Sequence, residues 1–320
     1  MMMSRGDGMF LTYLFAVLRS FIYGTTVYFT GDLIRSVDVL DVLALRFFMS
    51  FVVLWLLKVM RIVKIEVGVR DVMTVDRRSK YLRSLLLAAL FEPVLYMVFE
   101  TVGISTTTGI TAGVILSLAP ISSVICESLV LKEKTTGWQK LFLLIRVFGV
   151  GYIAVNTQSA DGKDTALGIV LLILTVVSGS LFSVFSRHSS KAFSAMERTY
   201  VTATLGMVVF NSINAVRHLV EGDIVHYFDP YFNWSNMLGF FVLGIVSTIV
   251  ATAMNNYSLA RAPASTLSVF GGVSTLTTVT IGVCTGEQLM LYHIIGLVMI
   301  VVGMVGVGYI QIKRDKPLKK

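Results

Sequence analysis

Apolar positions gather into about ten blocks of roughly 20 residues, separated by short polar stretches, and a helix of that length crosses a hydrocarbon core of ~30 Å. Membrane-barrel strands would alternate polar and apolar positions in segments of ~10 residues. These blocks do not alternate, so the pattern predicts an all-α polytopic membrane protein with ten transmembrane helices. The predicted spans are 9–29, 38–57, 84–103, 109–131, 138–155, 166–186, 199–219, 237–258, 264–284 and 290–312. The loops are short except 58–83, "KVMRIVKIEVGVRDVMTVDRRSKYLR". Composition agrees: 55% of the 320 residues are hydrophobic and 14% charged, against about 25% charged in a soluble chain.

Charge then orients the spans. With the N-terminus inside, 21 of the 27 lysines and arginines fall in inside segments, while Arg35, Lys163 and Arg217 fall outside and Arg19, Arg46 and Arg146 lie within spans. Cytoplasmic loops carry this excess in membrane proteins. Both termini are therefore expected in the cytoplasm, in a multi-pass protein of the cell membrane. The net charge of +8 reads as a topology device, with no nucleic-acid partner.

The chain also repeats. "ISTTTGITAGVILSLAPISSVICESLVLKEKTTGWQKLFLLIRVFGVGYI", ending at Ile153, matches a stretch from "LARAPASTLSVFGGVS" to Ile310 in its order of features. Each runs hydroxyl residues, an apolar span, a glutamate (Glu133 or Glu287) and a glycine-containing span. Gly149 and Gly303 each lie 16 residues after the glutamate. Two halves are expected, 1–155 and 156–320, with five spans each. An odd number of spans turns the second half over, and inverted repeats are an architecture of secondary transporters, with the solute site near the midplane.

These residues carry a family resemblance. With "LALRFFMS" in the second span, the hydroxyl-rich turn, the kink from Leu118 to Pro120 and "NNYSLARAPASTLSVF", the chain resembles the drug/metabolite transporter superfamily, specifically EamA-type permeases, over nearly its whole length. The resemblance implies a ten-helix permease that moves small metabolites, often exporting amino acids or related compounds, without ATP hydrolysis.

The candidate chemistry lies inside the spans. "FEPVLYMVFE" places Glu92 and Glu100 in the third span, eight residues apart, with Tyr96 midway and Pro93 beside Glu92. On a continuous helix the three share a face over roughly 12 Å. A carboxylate at the centre of a membrane helix costs roughly 2.5–3.5 kcal/mol on insertion scales, so the stripe is expected to face a protein-lined or water-filled interior. Two readings stand. In one, the stripe lines a solute cavity, where Glu92 binds an amine or carries a coupling proton. In the other, the glutamates pair with Arg46, Arg19 or Arg146 and hold helices together. Arg46 suits a solute carboxylate through its guanidinium fork. Arg146 reads as a structural contact. Pro93 and Pro120 bend their spans and, with Arg19 and Arg146, form the structural or gating set. Of the adjacent Asn255 and Asn256, at most one can face the cavity.

Other features exclude more than they assign. Cys126 and Cys284 read as small buried apolar residues. Two cysteines and four histidines give no metal-ligand spacing, and no cofactor is expected. His218 and His226 read as surface histidines, and the aromatic loop 221–235 as an interfacial belt outside the membrane. No Walker motif or catalytic constellation is present, which argues against an ATP pump or an enzyme. The expected partners are a small-molecule substrate, the bilayer and, as a candidate coupling ion, the proton, with the chain a monomer or homodimer. The competing functions are a nucleotide-sugar antiporter of an internal membrane and a non-transporting scaffold or receptor.

Overall fold

The structure is a computed structural model that describes residues 5–66, 79–116, 118–130, 137–157, 165–267, 270–286 and 288–315. All regular structure among them is helical. The helices are α1 (Arg5–Leu33), α2 (Val39–Val59), α3 (Ser79–Ala89), α4 (Tyr96–Ser105), α5 (Gly109–Leu116), α6 (Ala119–Val130), α7 (Gly137–Thr157) and α8 (Ala166–Ser189). The second half of the chain continues with α9 (Ala195–Glu221), α10 (Asp229–Phe232), α11 (Trp234–Phe241), α12 (Thr252–Leu259), α13 (Ala264–Leu267), α14 (Gly271–Cys284) and α15 (Leu291–Asp315).

Among the described residues, six stretches are long and apolar enough to cross a membrane: Gly8–Leu33, Val39–Val59, Tyr81–Ser105, Ala166–Ser189, Ala195–Glu221 and Trp234–Leu259. Helix also occupies the other predicted spans, as α5 with α6, α7, α13 with α14, and α15. Glu133 and Glu287, which anchor the sequence repeat, lie outside the described residues.

Local chemistry sets the helix ends. Asp38 caps α2 by accepting from Leu40 N at 2.8 Å, and Thr165 caps α8 by accepting from Gly168 N at 3.0 Å. Ser194 and Glu197 form a reciprocal capping box at the start of α9. Gly222 ends α9 with φ of 78°, a left-handed conformation that glycine adopts without a Cβ penalty.

Packing reflects the repeat. The α1 helix packs on α14 and on the eighth span (α11, 242–251 and α12). The α8 helix packs on α6 and on the third span (α3, 90–95 and α4). The α2 helix packs on α9 and on 242–251, while α9 also packs on 90–95. The α7 helix pairs with α15. Exchanging the first five spans for the last five maps these pairings onto one another. The consequence is that α1, α8 and the third and eighth spans surround the centre, with α7 and α15 to one side.

Candidate functional site

Two helix breaks build the site. The first is at Leu90–Leu95, a wide turn between α3 and α4. Clash with the Pro93 ring disfavours helical geometry at the preceding residue, and Glu92 is extended, with φ −139° and ψ 113°. The third span is therefore not the continuous helix from which the shared face of Glu92, Tyr96 and Glu100 was argued. The three side chains nonetheless line one cavity, and the Tyr96 hydroxyl donates to Glu100 Oε1 at 3.1 Å.

The second break, at Val242–Ala251 in the eighth span, has no proline. Here the helix widens to a π-helical pitch. The Thr248 hydroxyl donates to Leu243 O at 2.7 Å and the Thr252 hydroxyl to Ser247 O at 3.3 Å, each five residues back. Wide turns of this kind occur frequently at functional sites. Residues of α2 take up the loosened backbone. Ser50 donates to Gly244 O at 2.6 Å, and Arg46 Nη2 reaches Leu243 O at 3.4 Å and Thr248 Oγ1 at 3.2 Å. A Cβ at Gly244 would lie 3.0 Å from Arg46 O, so glycine permits this approach.

Between the breaks lies a cavity of ≈ 150 Å³. The first half of the chain contributes Arg19 and Tyr23 from α1, Arg46 from α2, and Glu92, Tyr96 and Glu100 from the third span. The second half contributes Ser180 and Ser183 from α8, Ser247 and Asn255 from the eighth span, and Ser274 and Thr275 from α14. One wall thus carries all the ionisable groups and the other carries hydroxyls and an amide. Arg19 Nη2 donates to Leu267 O at 3.2 Å. Among the described residues no arginine of the cavity lies within the 4.0 Å of an ion pair to Glu92 or Glu100. The Nε atoms of Arg19 and Arg46 are buried and make no hydrogen bond among the described residues.

Arg46, Glu92, Tyr96, Glu100 and Asn255, picked out from sequence, thus come together, and Arg19 joins them. Pro93 is buried at the first break. Pro120 is the second residue of α6, where its missing N–H is not needed. The side chains of Arg146 and Pro120 lie outside the described residues. The two asparagines diverge. Asn255 lines the cavity, whereas Asn256 donates to Thr199 Oγ1 at 3.0 Å and accepts from Ser186 Oγ at 2.7 Å.

Several polar residues escaped the sequence reading. Tyr23 and the serines of α8 line the cavity, and only their helical spacing (Arg19 to Tyr23, Ser180 to Ser183) hints at it. Arg198, counted among the inside cations, is 1% exposed and donates to Ser186 O at 3.0 Å, to Ser186 Oγ at 2.8 Å and to Asn256 O. His218 is not a surface histidine. It is buried, with Nε2 2.8 Å from Asp41 Oδ1 and Nδ1 2.6 Å from Asp223 Oδ1. Arg217 joins this cluster, donating to Asp41 Oδ2 at 2.8 Å and bonding Asp38, so α2 and α9 are clasped at one end. His226 does stay exposed, 2.6 Å from Asp229. Loop 221–235 divides: Phe232 and Trp234 are exposed, but Tyr227 is buried and the Tyr231 hydroxyl bonds Leu45 O. Burial pushes both phenols above the ordinary tyrosine range. Cys126 is buried as expected, whereas Cys284 is exposed.

The profile of the EamA-like transporter family matches residues 10–155 and again 166–309. The chain belongs to this family. An uncharacterized transporter of Bacillus subtilis, YcxC, is 32% identical over 96% of this chain and 97% of its own length. A second from that organism, YetK, is 26% identical over 63% of this chain and 60% of its own length. A solved crystal structure superposes with TM-score 0.61 over 95% of this chain and 99% of that one, at 16% identity, a likeness of fold. The protein is thus a multi-pass EamA-family transporter of the drug/metabolite superfamily, with a small molecule as its cargo and a bilayer as its setting.

Proposed function

We propose that the protein exports or exchanges a small zwitterionic metabolite, such as an amino acid, by alternating access across the cell membrane. Two inverted five-helix repeats, 1–155 and 156–320, make ten spans, with both termini in the cytoplasm. The observation that carries the reading is the cavity's charge: two arginines and two glutamates face one small space and, among the described residues, no ion pair joins the opposite signs. Buried charges are costly unless partnered. A solute bearing one carboxylate and one ammonium supplies partners to both signs at once.

In this reading Arg46, held by the eighth-span break, receives the carboxylate, and Glu92 receives the ammonium. Tyr96 positions Glu100 as a further acceptor, Asn255 hydrogen-bonds the solute from the opposite wall, and Arg19 closes the cavity's inner end. A proton on Glu92 in place of the ammonium would couple export to proton entry.

Counterflow in proteoliposomes preloaded with members of an amino-acid and metabolite panel tests this. Wild type should exchange at least one zwitterion above empty vesicles, and Glu92→Gln should lower that exchange by about tenfold or more, the equivalent of about 1.4 kcal/mol. Exchange untouched by the mutation would sink the role of Glu92. Exchange confined to phosphorylated sugars or nucleotides would replace the zwitterion with a phosphate ligand of the two arginines.

A further inference from the structure

A second, larger cavity of ≈ 850 Å³ lies toward the end of the molecule that the cation count assigns to the outside. Its lining includes Asp32 at the end of α1 and Arg35 just past it, Thr107 and Thr108 before α5, and Tyr292 and His293 from α15. The inner and outer cavities stand in series on the same three helices. Along α1, the lining of the inner cavity runs from Arg19 to Thr26 and that of the outer one begins at Val27. On α14, Ser274 and Thr275 line the inner cavity, and Thr285, just past its end, lines the outer one. On α5 the order reverses: Gly109 is outer and Leu116 inner.

At the outer end of the inner cavity, small residues of α1, α5 and α14 come into close contact. A Cβ at Gly24 would lie 2.6 Å from both Ser274 O and Thr277 Cβ, and a Cβ at Gly113 would lie 2.8 Å from Thr278 Cγ2. The Thr278 hydroxyl donates to Gly24 O at 2.9 Å. Ala112 and Val279, with Val27 and Ile104 of the outer cavity's lining, form one buried apolar cluster beside this seam. On the inner side of the seam, the Asn255 side chain faces the cavity, 4% exposed and with no hydrogen bond among the described residues. A polar solute leaving the inner cavity outward meets this seam first.

We propose that the seam of Gly24, Gly113, Thr277 and Thr278 is the outer gate of the transport path, and that its opening joins the two cavities. The proposal rests on the transport reading above. The contacts suit a gate. At the seam itself glycines meet threonine side chains, so parting it separates small groups. One side-chain hydrogen bond, Thr278 to Gly24, crosses from α14 to α1 and reforms on closure. The outer cavity, with charges of both signs, would then receive the same class of solute on its way out.

The first test needs no solute. In a Cys126→Ala, Cys284→Ser background, Ser183→Cys places one thiol in the inner cavity. A membrane-impermeant thiol reagent is applied to intact cells, with and without Gly24→Leu, a side chain the closed seam cannot hold. Labelling should rise by about tenfold or more in the leucine variant, the size of a population shift toward the open form. Equal labelling in two variants with the same gel-filtration profile would overturn the gate, as would faster labelling only from the cytoplasmic face in inverted vesicles. A second variant covers misfolding by leucine. In Gly24→Cys with Thr277→Cys, oxidation should stop counterflow and a reductant should restore it. Counterflow that persists in a chain shown by mass to be cross-linked would also overturn the gate. Labelling that behaves as expected while no panel solute is exchanged would retain the gate and reject the solute assignment.

Discussion

The third and eighth spans hold corresponding places in the two halves, and both are broken at the centre, but by different chemistry. In the third span a proline breaks the helix and turns a carboxylate into the cavity. In the eighth, threonine hydroxyls reaching five residues back widen the helix, and the segment brings only neutral groups, Ser247 and Asn255 among them, to the cavity. The difference divides the labour. The first half holds the charge of the cavity. The second half provides a neutral wall, and its loosened backbone holds a cation of the first. Arg46 is where the two meet, since it lies in α2 and bonds Leu243 O and Thr248 Oγ1 across the cavity edge. Similar halves can exchange conformational roles, yet the site between them is asymmetric.

The largest effect should come from removing that junction. Arg46→Met keeps the apolar stem and deletes the donor to the eighth-span break. Hydrogen bonds to charged groups contribute roughly 1.5–3 kcal/mol each, so the melting temperature in detergent should fall by an amount equivalent to about 2–3 kcal/mol and counterflow should disappear. If melting is unchanged, the guanidinium does not hold the break and the division of labour fails.

Next in size is Pro93→Ala. Alanine allows Glu92 to return to helical geometry and the third span to close. Exchange should drop by about tenfold while melting stays level or rises, because strain and polar exposure at functional breaks are maintained at the expense of stability. A fall in both would show that the break is needed for folding, which would make the third span resemble the eighth.

These two residues also mark what the sequence made legible. Pro93 beside Glu92, and Arg46 within an apolar run, announce themselves, because proline and intramembrane charge are local signals. The repeat was readable for the same reason, as an order of glycines, hydroxyls and apolar blocks. The eighth-span break was not. Its sequence, "VLGIVSTIVA", reads as an unbroken apolar helix, because a buried threonine commonly bonds its own backbone and only the register of that bond, five residues instead of four, makes the break. Arg198 and His218 were hidden differently. Each lies near a predicted span end, where a cation or imidazole normally meets water, and its burial depends on partners far along the chain, Asn256 for one and Asp41 for the other. The outer cavity is likewise a product of helix ends that meet only in three dimensions.

Thr248→Val probes the eighth-span break directly. It deletes the hydroxyl that donates to Leu243 O and accepts from Arg46 Nη2. The expected cost is about 1 kcal/mol of stability, with exchange reduced several-fold as Arg46 loses one of its two acceptors. An unchanged melting temperature would mean that α2, through Ser50 and Gly244, sets the wide turn without the threonine.

The smallest effect sharpens the comparison from the charged side. Tyr96→Phe removes the hydroxyl that donates to Glu100 Oε1 at 3.1 Å and leaves the ring's packing intact. If Glu100 is an acceptor for the solute, losing this donor frees the carboxylate to rotate, and the apparent affinity for the solute should weaken by a few-fold while maximal exchange stays near wild type. Stability should change by less than about 1 kcal/mol, because the carboxylate still faces the cavity, where a water molecule would replace the lost donor. If Glu100 instead serves only to fix Tyr96, the affinity should not move and the maximal rate should fall, since the ring packs close to Gly179 of α8, 3.1 Å from where a Cβ would stand. Affinity and rate measured on the same variant therefore decide whether the charged wall extends from Glu92 to Glu100 or ends at the proline.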